Sequence, residues 1–242
     1  MNDEPPPYRT IVFDCDSTLS SIEGIDELAR EHKDEIAALT ERAMKGELPL
    51  EAVYGKRLAL VRPSRSEIER VGALYVSRAL PHARELVAAL KRLKKRVCIV
   101  SGGLRPAVQA LADTLSIPAS DVFAVDVTFD SRGDYAAFDE RSPLARAGGK
   151  IEVLDAIRRA TSGPACLVGD GVTDLEAGVR ADRFVAYGGV ARREPVFARA
   201  RVTCTSPDLA ALAPLLFSES EMDVLSEHPE HGALIRAARA IS

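Results

Sequence analysis

The chain has 242 residues, of which 46% are hydrophobic and 28% charged, enough to bury a substantial core and too apolar for wholesale disorder. Its formal charge of -4 and pI near 5.7 supply no general positive field, so nucleic acid is not an expected partner. The length allows one large domain or a domain carrying an insert.

In chain order, residues 1–7 are acidic and proline-rich, unlike a secretory signal or transit peptide, and read as a loose tail. No apolar run reaches membrane-spanning length, so the expectation is a cytoplasmic protein with no membrane partner. Short apolar runs at 10–13, 96–100, 165–168, 184–187 and 201–203 alternate with amphipathic stretches, the pattern of a parallel sheet covered by helices. The alternation is interrupted between Ser20 and Leu80, where helical patterns at 25–31, 34–44, 50–61 and 64–79 follow one another. Ser64 and Glu67 offer a capping box for the last of these. This predicts a helical cap, 20–79, inserted into an α/β core formed by 1–19 and 80–217. Residues 91–96 read as a solvated helix end, and residues 122–138, with the Arg132-Gly133-Asp134 turn, as a hairpin. An acidic stretch, 218–230, precedes an Ala-rich helical pattern at 233–241. This C-terminal extension, 218–242, either covers the core or mediates self-association as a homodimer. Cys15, Cys98, Cys166 and Cys204 are isolated and read as buried free thiols, and the four His residues form no metal-ligand pattern along the chain.

In an open parallel sheet, ligands bind beyond the carboxyl ends of the strands. Asp14-Cys15-Asp16-Ser17-Thr18 follows the first strand, Ser101-Gly102-Gly103 the second, and Gly169-Asp170-Gly171-Val172-Thr173-Asp174 the third. Two acids two residues apart are costly unless a cation neutralises them, and Mg²⁺ takes carboxylate and phosphate oxygens together. Ser101, Gly102 and Gly103 offer a hydroxyl and approachable N–H groups, with the helical pattern from Arg105 adding a favourable N-terminus for phosphate. Lys150, at the start of the helical run 151–159, can offset phosphate charge. Gly169 and Gly171 permit a tight turn that aims Asp170 at a metal, and Asp174 can hold Lys150 or a metal-bound water.

Occurring in this order, the four motifs resemble those of the haloacid dehalogenase superfamily of phosphohydrolases. Glu23-Gly24-Ile25-Asp26-Glu27-Leu28-Ala29, Arg42-Ala43-Met44, Arg57-Leu58-Ala59-Leu60 and the stretch from Gly169 to Ala177 look like the phosphoserine phosphatase family, over residues 9–217. The resemblance implies a Rossmann-like core with an inserted helical cap, and Mg²⁺-dependent hydrolysis of a phosphorylated amino acid, O-phosphoserine, as in the last step of serine biosynthesis. Asp14 would be the nucleophile and Asp16 the general acid/base. Mg²⁺ would be held by the Asp14 and Asp170 carboxylates and the Asp16 carbonyl, with Asp174 behind them. Ser101, Gly102, Gly103, Lys150 and Thr173 would face the phosphoryl group. Glu23 would meet the substrate ammonium, Arg57 its carboxylate, and Met44 would lie against it.

Two positions depart from the family pattern: Lys45, where a glycine is usual, and Cys15, where an aliphatic residue is usual. Phosphoryl transfer to an alcohol such as homoserine, hydrolysis of another small phosphomonoester, and a non-catalytic metabolite-binding module are the competing readings. The joint presence of Asp14, Asp16, Lys150 and Asp170 argues against the last.

Overall fold

A computed structural model of the chain describes residues 7–29, 32, 34–36, 38–39 and 50–241. Met44 and Lys45, and the C-terminal half of the helix expected at 34–44, lie outside the described residues.

Among the described residues eight strands form: β1 Thr10–Phe13, β2 Arg96–Leu104, β3 Val122–Val125, β4 Val127–Phe129, β5 Tyr135–Phe138, β6 Ala165–Gly169, β7 Arg183–Tyr187 and β8 Val202–Cys204. Six of them make one parallel sheet in the order β3-β2-β1-β6-β7-β8. The chain thus starts mid-sheet, and every residue of β1 and β6 is buried. That burial on both faces is why these strands read as unbroken apolar runs rather than alternating ones. Phe13 pairs with Ile99 of β2 and Val168 of β6, so the segments after the three central strands emerge at one rim.

Between β1 and β2 come α1 Gly24–Leu28, α2 Leu50–Val61, α3 Arg65–Ser77 and α4 Ala83–Arg92. The chain leaves and re-enters the core side by side: Leu80 N–H donates to Leu19 O at 2.9 Å and Ser21 N–H to Arg78 O at 3.0 Å. Helix α3 begins with the expected capping box, the Ser64 hydroxyl accepting from Glu67 N–H while the Glu67 carboxylate takes Ser64 N–H. On α4, Ala83, Leu86, Val87 and Leu90 fall on one face at helical spacing and are buried. The remaining helices are α5 Arg105–Thr114, α6 Gly149–Ala160, α7 Val172–Gly178, α8 Glu194–Phe197, α9 Ala213–Leu216, α10 Glu219–Ser226 and α11 Gly232–Ile241. The result is a Rossmann-like α/β core with an added helical insertion. No helix among the described residues is long and apolar enough to cross a membrane.

Three expectations are corrected. Residues 122–138 are not one hairpin: β3 joins the main sheet beside β2, and only β4 and β5 pair antiparallel. β2 does not stop at Val100 but runs to Leu104 with a register shift between them, so Gly102 and Gly103 belong to a bulged strand end. Lys95 is not solvated. Its ammonium is buried, donating to Tyr8 O at 2.9 Å and meeting Glu221 Oε1 at 2.6 Å.

That ion pair fastens the C-terminal extension to the core. Leu225, Leu234, Ile235 and Ala238 are fully or almost fully buried, and Ser218 and Glu221 form a second capping box at the start of α10. The extension therefore covers the core. Removing one member of a buried pair leaves the other charge unpaired, so Glu221→Ala is expected to lower unfolding free energy by about 3 kcal/mol. Urea denaturation checks this, with Glu221→Gln, which can still accept a hydrogen bond from Lys95, costing less. All four cysteines are buried free thiols.

Candidate active site

At the rim where β1, β2 and β6 end lies a cavity of about 470 Å³. Asp14, Asp16, Glu23, Arg57, Gly102, Gly103, Lys150, Asp170, Thr173 and Asp174 all border it, so ten positions singled out in the sequence meet at one place. Ser101 sits directly behind them, fully buried.

Local sequence explains the convergence. After β1 the chain turns back sharply because Ser17 takes a left-handed conformation, φ 52°, with its hydroxyl donating to Glu23 Oε1 at 2.7 Å. Gly149 lets the turn before α6 close: a Cβ there would lie 1.6 Å from Pro143 O, so any side chain would push Lys150 out of position. Gly169 does the same for Asp174, whose Cγ would lie 2.3 Å from an added Cβ.

Lys150 Nζ lies 2.7 Å from both Asp14 Oδ1 and Asp174 Oδ1. Asp174 Oδ2 in turn accepts from Gly171 N–H at 3.0 Å, so the carboxylate that orients Lys150 is itself held by its own turn. One carboxylate oxygen from each of Asp14, Asp170 and Asp174 lies within 4.8 Å of the others, and all three residues are buried. Asp16 directs its carboxylate elsewhere. It accepts from Gly24 N–H at 2.7 Å, Tyr75 O–H at 2.5 Å and Ser101 O–H at 3.0 Å. Gly103 N–H donates to Ser101 Oγ, and the Tyr54 hydroxyl to Gly102 O at 2.8 Å.

The charges are unbalanced. Burial, then the neighbouring Asp174 carboxylate, pushes Asp14 well above the usual carboxylate range despite the opposing Lys150. Asp170 is raised too, burial outweighing its bond to Arg193. For Lys150, burial acts downward, but Asp14 and Asp174 more than offset it and hold the ammonium charged. Four aspartates thus face two cations in direct contact, Lys150 and Arg193. Hard oxygen donors with an excess of negative charge suit a small divalent cation.

Arg193 is a site residue that the sequence motifs do not include. It follows β7 and donates from Nε to Asp170 Oδ2 at 2.7 Å and from Nη2 to Glu23 Oε1 at 3.0 Å. Its guanidinium stands between an acid of the core cluster and an acid of the insertion, filling the role of a cation there. Glu23 is pushed up to about 7, chiefly by burial and then by the Asp16 charge, with the Ser17 hydroxyl and Arg193 opposing. Tyr54, Tyr75 and Arg146 were missed as well. Inspecting the loop beyond the fourth central strand would have found Arg193, whereas Tyr75 looks in the sequence like any apolar-face aromatic of α3.

The sequence profile of the haloacid dehalogenase-like hydrolases matches residues 8–182. Human phosphoserine phosphatase is 40% identical over 189 residues, spanning 77% of this chain and 84% of the human protein. Among solved structures, a phosphoserine phosphohydrolase-like protein from Francisella tularensis superposes with a TM-score of 0.73 at 28% identity, covering 86% of this chain and 100% of that one. A phosphoserine phosphatase captured as a phospho-aspartyl intermediate analogue gives a TM-score of 0.70 at 25% identity, covering 88% and 100%. With a family profile matching most of the chain and a relative 40% identical over 189 residues, the chain belongs to the haloacid dehalogenase-like hydrolases, as a relative of phosphoserine phosphatase.

Proposed function

We propose that the protein hydrolyses O-phosphoserine to serine and inorganic phosphate, with Mg²⁺ at the acid cluster and an aspartyl-phosphate on Asp14 as intermediate. The observation that carries this reading is the single cavity bordered by Asp14, Lys150 and Asp170 together with Glu23 and Arg57. The first three suit a phosphoryl group, and the last two an ammonium and a carboxylate.

Asp14 attacks phosphorus in line, and the bond to the seryl oxygen breaks with its electron pair staying on that oxygen. Asp16 supplies the proton the leaving alkoxide needs. Its carboxylate already has the two roles' requirement of freedom from the acid cluster, held by Gly24, Tyr75 and Ser101. Asp16 then takes a proton from the water that attacks the aspartyl-phosphate, and the Asp14–phosphorus link breaks, restoring the carboxylate. Lys150, fixed by Asp174, offsets charge on the equatorial oxygens, with the Gly102 N–H and Thr173 as further donors; Ser101 and Gly103 join them only by giving up the bonds they make to Asp16 and to Ser101 Oγ. The Asp14 and Asp170 carboxylates and the Asp16 carbonyl would hold Mg²⁺, which would supply two positive charges against those oxygens.

Substrate choice falls to Glu23 and Arg57. A charge-assisted contact contributes about 2 kcal/mol, so Arg57→Ala is expected to raise KM for phosphoserine roughly 30-fold. The same variant leaves KM for phosphoethanolamine, which lacks the carboxylate, unchanged. Measuring both substrates, with homoserine added in a parallel series, tests the reading. Equal rates on phosphoserine and phosphoethanolamine, or phosphate release that depends on homoserine, would reject phosphoserine hydrolysis as the activity.

Glu23 adds a pH signature. Its carboxyl is raised to about 7, so below that pH it is increasingly protonated and offers the substrate ammonium no charge. KM for phosphoserine should therefore rise as pH falls below about 7, and Glu23→Gln should remove that component while keeping the part due to phosphate ionisation.

A further inference from the structure

The last two helices are joined by a turn containing His228-Pro229-Glu230-His231, which takes no part in the cavity described above. The His228 and His231 rings stack with centroids 4.6 Å apart and planes inclined by 28°. One nitrogen of each ring and one Glu230 carboxylate oxygen all lie within 4.8 Å of one another. His231 is only 5% exposed, yet its ring nitrogens have no hydrogen-bond partner among the described residues. The ring nitrogens are not sealed from solvent, so His231 offers an open ligand beside two further donors at this turn. The contact to His228 is weak by comparison: Glu230 N–H reaches its Nδ1 at 3.3 Å.

We propose that His228, Glu230 and His231 form a second cation site, distinct from the aspartate cluster and selective for a borderline transition metal such as Zn²⁺ over Mg²⁺. Two imidazoles and one carboxylate are a donor set that suits Zn²⁺ or Co²⁺, whereas Mg²⁺ prefers oxygen ligands throughout. Ligand atoms around a tetrahedral Zn²⁺ lie about 3.3 Å apart, so the three must draw inward. Glu230 is exposed and His228 half-buried, which leaves both side chains room to do so. Three protein ligands leave a fourth position for water. The metal would tie the turn between α10 and α11, the two helices that seat Leu225, Leu234 and Ile235 on the core.

The test uses full-length protein without a histidine tag, in saturating Mg²⁺, titrated with Co²⁺ as an optical probe and then with Zn²⁺ against a chromophoric chelator. The expected result is one equivalent of Co²⁺ with the visible bands of a low-coordinate nitrogen site, displaced by Zn²⁺. His228→Ala and Glu230→Gln, at positions that are not fully buried, should each weaken binding about tenfold or more and leave Mg²⁺-dependent turnover unchanged. The proposal is overturned if no Co²⁺ or Zn²⁺ binds in the presence of Mg²⁺, or if both variants bind them as tightly as the parent.

Discussion

Asp14→Asn is expected to lower phosphoserine turnover by roughly 10⁴-fold or more, the scale on which loss of a covalent nucleophile acts. An amide cannot form the aspartyl-phosphate, and no other carboxylate replaces it: Asp16 is held by three donors, and Asp174 by Lys150 and its own turn. The fold should survive. Asp14 is buried beside Asp174, Asp16 and Asp170, and its carboxyl is raised first by burial and then because those neighbours oppose its ionisation. A neutral side chain of the same shape relieves that opposition, at the cost of one partner for Lys150. Thermal melting should therefore be unchanged or slightly higher, while steady-state phosphate release disappears. A variant that still turns over at the parent rate would remove Asp14 from the mechanism.

Lys150→Met should be damaging in two ways at once. Loss of a positive group facing the transferring phosphoryl costs about 10²- to 10³-fold in kcat. The same change leaves Asp14 and Asp174 without the cation that lies 2.7 Å from each. Breaking buried pairs of this kind costs about 3 kcal/mol or more, so the melting temperature should fall in Mg²⁺-free buffer. Added Mg²⁺ should raise it by more than it raises the parent's, because a divalent cation at the acid cluster takes over part of the lost neutralisation. Paired melts with and without Mg²⁺, alongside kcat, measure both effects. Equal Mg²⁺ responses in variant and parent would mean that lysine and metal do not share the same carboxylates.

How much of this was legible in the sequence depended on how local the cause was. β1 and β6 were readable because burial on both faces leaves continuous apolar runs, and the motifs at their ends follow from that position. The caps of α3 and the Gly169-Asp170-Gly171 turn are also local, set by residues a few positions apart. Residues 122–138 misled because β3 passes into the hairpin through Asp126 alone, leaving no turn signal to mark where the main sheet ends. Lys95 reads as part of a charged helix end, whereas its burial rests on Glu221, 126 positions away, and on the Tyr8 carbonyl, 87 positions away. Arg193 lies 170 positions from Glu23, and their contact arises from sheet order rather than from any spacing in the chain. Glu23 and Arg57 share this difficulty, since a charged residue of the insertion carries no local mark of the cavity it borders.

The most direct test mixes the enzyme and Mg²⁺ with phosphoserine labelled in its phosphoryl group, quenches with acid within a turnover, and maps the labelled peptide. Label is expected on the peptide containing Asp14, released by hydroxylamine as an acyl phosphate should be, and absent from Asp14→Asn. Rapid phosphate release with no labelled protein at any quench time, or label on a different side chain, would contradict it.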